Sequence, residues 1–371
     1  MLKKLLIIQL LLLCILLLNA EWIDLQSNQN LFNSTKGNYQ ETEIDFTLDG
    51  YEIEISRNNT IDYSKISYKN EGETVLEGKP HLPQFTRLII IPNHGTPEIE
   101  VMNNNSQTVE NINILPHQGF ISESSRAEES FKIDHKFYAS NSCYPSKSVA
   151  IGVPIIMRDY RVVPVTFSPF CYNPSKKELE IYTNLSVRIS TSGSAGENCK
   201  TSNSKKSRMF ENMYKTFINY TPNYRIEDFQ QPSYLIISPD DEVLLEMTNQ
   251  LIEWKTQKGF IVNFADTDET GTSSNSIKNY IQNAYDNWEN PPEFVCIIGD
   301  VGGSYSIPTS YYNSGEGDQF YALLEGNDIV ADLAIGRLSF RTLSDYQTII
   351  NKIKNYEKEP YMQETDWYEK A

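Results

Sequence analysis

The sequence predicts an α+β protein overall: an all-β, sandwich-like amino-terminal half followed by an incomplete parallel α/β domain. Three observations predict it. Between residues 40 and 190, apolar residues alternate with polar ones or run in short stretches, and no convincing amphipathic helix appears. From Ser233 onward, short apolar runs alternate with helical patterns, which argues for a parallel sheet covered on both faces. Between the halves lies STSGSAGENCKTSNSKKSRM, residues 190–209, whose composition reads as a linker.

Residues 1–20 read as a signal peptide. Lys3 and Lys4 supply the positive region, Leu5 to Leu18 the apolar core and Ala20 a small residue before a cut near Glu21. An uncleaved anchor is the alternative, though the segment is short for one. Export, to the medium or the cell surface, is the expectation. In the β-rich half, Thr42 to Ile55 reads as a hairpin turned at Asp49-Gly50. Further strands are expected over Thr86–Pro92, Val149–Pro154, Tyr160–Phe167 and Leu179–Ser190, while residues 119–145 are less regular. In the linker, Lys200, Lys205, Lys206 and Arg208 make a basic cluster open to proteolysis; a solvated, uncut loop is the alternative.

Met209 to Tyr220 is weakly helical. The second half then runs strand Ser233–Ser238, a helix to Lys258 capped by Asp240 or Asp241, and Gly259 as its stop. Strand Phe260–Ala265 follows, then a helix over Ile277–Trp288 capped by Thr272, Ser273 or Ser274. The organising stretch is Phe294-Val295-Cys296-Ile297-Ile298-Gly299-Asp300. Its unbroken apolar run reads as a strand buried on both faces, opening into a loop at its carboxyl end. A long Gly/Ser/Tyr loop, 302–317, a strand over Val330–Ile335 and a helix over Thr342–Tyr356 complete the reading. Only three or four strands are present, so an exposed sheet edge is expected.

The formal charge is −17, and no basic face is available for phosphates, which argues against a nucleic-acid partner. Gly299-Asp300-Val301-Gly302-Gly303 lacks the Lys-Ser/Thr of a nucleotide loop and opens no helix, so no nucleotide is expected. Clustered carboxylates could hold a structural calcium. Asp300, Asp318, Asp328 and Asp332 fall near strand ends and in the connecting loops; capping and turn formation are the plainer role. Cys296 sits inside the organising strand and reads as a small hydrophobe, not a nucleophile. Cys143 and Cys171 could pair across neighbouring strands, and Cys199 lies in the polar stretch. The histidines are His81, His94, His117 and His135, all in the β-rich half, so no histidine stands beside a nucleophile in the α/β half.

Residues 232–371 resemble the start of the catalytic domain of the gingipain family of secreted cysteine peptidases. The pieces that carry this are YLIISPD (234–240), WKTQKGF (254–260), IKNYI (277–281), PPEFV (291–295) into Ile298-Gly299-Asp300, and GDQFY (317–321). Gly326-Asn327-Asp328, Asp332 to Arg337 and IKNYE (353–357) follow in the same order. The preceding stretch resembles the family propeptide, including FENMYK (210–215). The resemblance implies a caspase-like, Rossmann-like fold and four segments: a signal peptide over 1–20, a β-rich propeptide-like domain over 21–190, a linker and junction with an activation cleavage site over 191–231, and the amino-terminal part of the peptidase domain over 232–371. It implies a zymogen whose Cys-His dyad lies beyond residue 371, protein or peptide substrates, a propeptide–catalytic domain contact in cis and structural calcium, with Asp318, Asp328 and Asp332 as the candidate ligands. No catalytic residue is assigned within the chain, which is expected to be inactive alone. A non-catalytic surface or adhesion protein, or a propeptide-like inhibitory module, is the alternative.

Overall fold

The computed structural model describes residues 20–25, 30–36, 38–58, 60–120, 130–201, 206–222, 225, 228–312 and 315–363. The expected leader, apart from Ala20, and Lys205 of the basic cluster lie outside them. Among the described residues, no helix is long and apolar enough to cross a membrane. The chain divides into two compact units. The first comprises the described residues of Met1–Pro154, Val162–Glu197 and Thr216–Thr221; the second those of Ile155–Arg161, Asn198–Lys215 and Pro222–Ala371.

The first unit is built from antiparallel strands, and residues 155–161 of the strands named next belong to the second unit. In chain order the strands up to residue 192 are β1 (Glu21–Asp24), β2 (Phe32–Ser34), β3 (Glu41–Thr47), β4 (Gly50–Asn58), β5 (Ile61–Ser67), β6 (Gly72–Glu73), β7 (Pro83–Ile90), β8 (Thr96–Val109), β9 (Val149–Ile151), β10 (Ile155–Met157), β11 (Tyr160–Phe167), β12 (Phe170–Asn173) and β13 (Glu178–Ser192). One sheet has the order β12-β13-β3-β2 with β8 also on β13; another runs β10-β11-β7-β6 with β9 on β11; a third is β1-β4-β5. Strict alternation along β13 sends Leu179, Ile181, Leu185, Val187 and Ile189 inward. There they meet Phe85, Ile89, Val163 and Phe167 of the neighbouring sheet, with Phe46 5.1 Å from Phe85 and 5.4 Å from Phe167 between ring centres. This is the sandwich core the alternation predicts.

The expected hairpin at Asp49-Gly50 does not form. β3 pairs with β13 and β2, whereas β4 pairs with β1 and β5, so the dipeptide carries the chain from one sheet to another. Leu48 is drawn aside, its amide donating to the Thr183 carbonyl at 3.0 Å. A Cβ on Gly50 would collide with the Trp22 ring, which explains glycine there without any tight turn. Cys143 and Cys171 form a disulfide, beside an antiparallel bridge between Tyr144 and Tyr172.

The second unit is a four-stranded parallel sheet. Its strands are β14 (Ser233–Ser238), β15 (Ile261–Asp266), β16 (Phe294–Ile298) and, after the short hairpin of β17 (Ser310–Tyr312) and β18 (Gly315–Gly317), β19 (Ala334–Leu338). The order is β15-β14-β16-β19. Two short helices, α1 (His135–Tyr138) and α2 (Glu211–Tyr214), precede the sheet; α3 (Glu242–Gln257), α4 (Thr267–Thr270), α5 (Ser274–Asn287) and α6 (Leu343–Lys358) accompany it. Alternate residues of the central strands face opposite sides. Leu235, Ile237, Val295 and Ile297 pack with Ile277 and Ile281 of α5. Ile236, Cys296 and Ile298 pack with Leu244 and Leu251 of α3 and Tyr346 and Ile350 of α6. Asp241, Ser273 and Thr342 are the helix caps, each accepting a backbone N–H two or three residues into its helix. Gly259, with φ +94°, follows α3.

The last strand starts later than the apolar run suggests, at Ala334 and not Val330. Asp332 is the reason: its amide donates to the Ala322 carbonyl and its side chain accepts from the loop amides of Leu324 and Glu325, so pairing with β16 begins only at Ala334↔Phe294. Among the described residues β19 pairs with β16 alone, leaving it at the sheet edge with partly exposed side chains. The loop after β16 is longer than two turns but not featureless, since it holds the β17–β18 hairpin.

Candidate functional site

Parallel α/β sheets place chemistry beyond the carboxyl ends of their strands. There the loop after β16 is tied down by Arg337 of β19. Its Nε and Nη2 donate to both carboxylate oxygens of Asp318 at 2.8 and 2.7 Å, and its Nη groups also reach the carbonyls of Gly299, Ile307 and Pro308. Thr309 Oγ1 donates to Asp318 Oδ1 at 2.9 Å. Asp300 accepts from the Val301 amide and bridges to Ser306. This end of the sheet is therefore a rigid floor, built from a forked ion pair and backbone carbonyls.

Asp328 and Asp332 lie at the other end, before β19. They meet a segment from far earlier in the chain, the turn between β10 and β11, which belongs to the second unit. Ile156 N donates to Asp328 Oδ2 at 2.9 Å, and Arg158 N to Asp332 Oδ1 at 3.3 Å. Arg158 takes φ +46° at the turn and is buried to 1% exposure. Its Nη1 donates to the carbonyls of Pro292 and Asp332, both at 3.0 Å; its Nη2 donates to Gln230 Oε1 and the Pro291 carbonyl, both at 3.2 Å. The guanidinium carbon is 5.3 Å from the ring centres of both Phe210 and Tyr285. Gln230, Pro292 and Asp332 stand just before β14, β16 and β19, so the arginine is set at the amino-terminal pole of the sheet.

The same pole holds further buried charge. Asp159 accepts from the Ser207 amide at 2.7 Å, and the Ser207 hydroxyl donates to Glu293. Burial pushes both carboxyls up, against the Ser207 hydrogen bonds and the Arg158 charge. Burial likewise pushes Asp332 up to about 6, against the amides of Glu325, Leu324 and Arg158 that it accepts from. Lys200 is buried in an ion pair with Glu325 at 2.7 Å, so this member of the basic cluster is no solvated loop residue.

The structure does not bring Asp318, Asp328 and Asp332 together as a calcium site. Asp318 is spent on Arg337, Asp332 on three amides, and Asp328 on the amides of Ile156 and Val330. Among the described residues, no three His, Cys, Asp or Glu side chains gather to hold a metal. Cys296 is buried, and burial pushes its thiol up to about 11, the opposite of a poised thiolate. All four histidines are in the first unit; His81 contacts Glu73 and stacks edge-on to His117 at 4.8 Å. Sequence reasoning missed Arg158. The available signal was Arg158-Asp159 as a two-residue gap between two apolar runs, a hairpin-tip pattern.

Two family models match in series: "Propeptide_C25" over residues 25–226 and "Peptidase family C25" over 227–371. Gingipain R1 of Porphyromonas gingivalis is 28% identical over 352 residues, spanning 91% of this chain and 34% of that protein. Lys-gingipain of the same organism is 24% identical over 357 residues, spanning 91% of this chain and 20% of that protein. The chain thus spans about a third of the length of gingipain R1. A solved structure described as a complex of Porphyromonas gingivalis RgpB pro- and mature domains overlays with a TM-score of 0.47 at 23% identity, covering 52% of this chain and 98% of that one. The turn that seats Arg158 falls in the propeptide match, and its acceptors at Pro291, Pro292 and Asp332 in the peptidase match.

Proposed function

Because the chain belongs to the C25 peptidase family, carrying its propeptide followed by part of its peptidase domain, we propose that it is the amino-terminal portion of an exported gingipain-like cysteine endopeptidase precursor. The observation that carries this reading is the abutment of the two matches at residues 226 and 227, with the parallel sheet falling wholly within the second. The reaction is peptide-bond hydrolysis: a thiolate attacks the carbonyl, and an imidazole moves the proton to the leaving amine. Neither Cys296 nor any of the four histidines is suited to that pair, so the reading assigns the dyad to sequence outside this chain. The floor built by Arg337 and Asp318 would then border the reaction site at the carboxyl ends of the strands. Export is supported by the apolar leader and by the Cys143–Cys171 disulfide. Activation is assigned to the 191–231 junction.

The test is direct. The full-length precursor should hydrolyse protein substrates after processing, and thiol alkylation should abolish this; residues 1–371 alone should not hydrolyse them. Amino-terminal sequencing of the active form should find a start within 191–231. Hydrolysis by residues 1–371, or an active form that starts at Glu21, overturns the reading.

A further inference from the structure

One side-chain row across the parallel sheet steps down in size towards the edge. Ile236 pairs with Cys296 and Cys296 with Gly336, so isoleucine, thiol and glycine stand side by side on the face that α3 and α6 cover. A Cβ built on Gly336 would meet no atom within 4 Å, and its backbone is strand, outside the left-handed region that calls for glycine. Close packing seldom leaves such space. Cys296 beside it and Leu338 two residues on line a pocket of about 180 Å³, together with Tyr234, Ile236, Leu251 and Ile353. An apolar cavity of about 150 Å³ is enough to hold benzene. The rest of the lining is charged: Lys255 in the last turn of α3 and Glu357 of α6. Lys255 is 2.8 Å from Glu357, and Lys258 reaches the same carboxylate at 2.9 Å, so two ammonium groups meet one carboxylate. The Lys255 side chain is only 14% exposed, which leaves its charge weakly screened.

We infer that this pocket binds a small monocarboxylate with a compact apolar body, of about the size of benzoate, its body against Ile236, Cys296 and Leu338 and its carboxylate at Lys255. The charge count selects an anion over a neutral molecule of the same shape, since a second carboxylate balances the two lysines. Sugars and peptides carry more polar atoms than these walls can satisfy, so burying them there is costly. A bound carboxylate would join the ends of α3 and α6 over the sheet, beside the contact that Glu357 already makes.

Binding there does not depend on peptidase activity, so the test reads occupancy alone. The probe is benzoate, with benzyl alcohol as its uncharged counterpart, titrated into the 371-residue chain and followed by ligand-observed NMR and isothermal calorimetry. Wild type should take one benzoate per chain with a Kd of about 1 mM or tighter, and benzyl alcohol at least about tenfold more weakly. Gly336→Val fills the gap beside Cys296 and should abolish binding of both. Circular dichroism shows whether it is folded; should it not fold, Gly336→Ala, which adds one methyl group, should still weaken benzoate at least about threefold. Lys255→Met should remove the preference for benzoate and keep benzyl alcohol. Benzoate that binds the folded Gly336 variant or Lys255→Met as tightly as wild type, or that leaves wild type empty at about 10 mM, overturns the inference. So does a full-length precursor that takes no benzoate, because sequence beyond residue 371 would then fill the pocket.

Discussion

Asp332 holds Arg158 twice: its side-chain Oδ1 accepts the Arg158 amide at 3.3 Å, and its backbone carbonyl accepts the Arg158 guanidinium at 3.0 Å. The other carboxylate oxygen takes the amides of Leu324 and Glu325, each at 2.7 Å. One residue therefore fixes the loop before β19 and the turn after β10 together. Burial nonetheless pushes its carboxyl up to about 6. A carboxyl raised above its unfolded value of about 3.9 contributes stability that is complete below that value and is lost as pH rises through about 6. Asp332→Asn should destabilise the chain throughout. The wild-type advantage should be about 2–3 kcal/mol smaller at pH 7 than at pH 4. Urea unfolding of both proteins across that range checks this; an advantage that grows with pH refutes it.

Glu357 should show the opposite sign. Burial works against its charge, but hydrogen bonds from Lys255, Lys258 and Trp254 hold it down at about 2. Those contacts join the ends of α3 and α6, with the Lys255 pair at 2.8 Å. The contribution is present above the ordinary Glu value and fades as pH falls from about 4.5 towards 2. The site is partly open to solvent, which reduces the effect. Glu357→Gln should cost about 1–2 kcal/mol at pH 7 and almost nothing near pH 2. Paired urea titrations at the two pH values measure the difference.

Arg337→Met should free the loop after β16. The side chain ties Asp318 to three carbonyls, and both partners are largely buried. Loss of the arginine leaves the Asp318 carboxylate with Thr309 and without its forked partner. The expected cost is about 2–4 kcal/mol. Limited proteolysis should cut within 301–317 many times faster than in wild type, with cleavage elsewhere little changed. Unchanged cleavage there would show that the β17–β18 hairpin holds the loop without Arg337.

What the sequence made legible follows from how local each signal is. The strand at Phe294 and the helix over Ile277 are written in consecutive residues, and both form where the pattern puts them. The caps are equally local: of the alternatives, Asp241 and Ser273 are used, and Thr342, where the last helical pattern begins, caps its helix. Strand pairing is not local. Asp49-Gly50 has hairpin composition, but Gly50 is there because Trp22 lies against it. Burial of charge is less local still. Lys200 sits in a polar stretch that reads as solvated, and only Glu325, 125 residues on, reveals its place. Asp328 and Asp332 attract attention as acids, but their partners are backbone amides, and two of these lie some 170 residues earlier. No spacing rule connects such positions.

Cys296 gives the sharpest check on the assignment of the nucleophile. It is in the centre of the sheet, buried among Ile236, Ile298 and Leu251, and burial pushes its thiol up to about 11. At pH 8 hardly any of it is thiolate, so it should resist iodoacetamide in the folded chain and react only on unfolding. Cys199 is half-buried and carries no such strand packing, so it should be modified first. Cys296→Ala removes one buried sulfur and should cost about 1 kcal/mol of stability. In the processed full-length enzyme it should leave kcat/KM within about twofold of wild type, since the side chain packs between strands and helices away from the carboxyl-end floor. A loss of several orders of magnitude in kcat, with the fold intact by circular dichroism, would put the nucleophile in this strand and refute a dyad elsewhere.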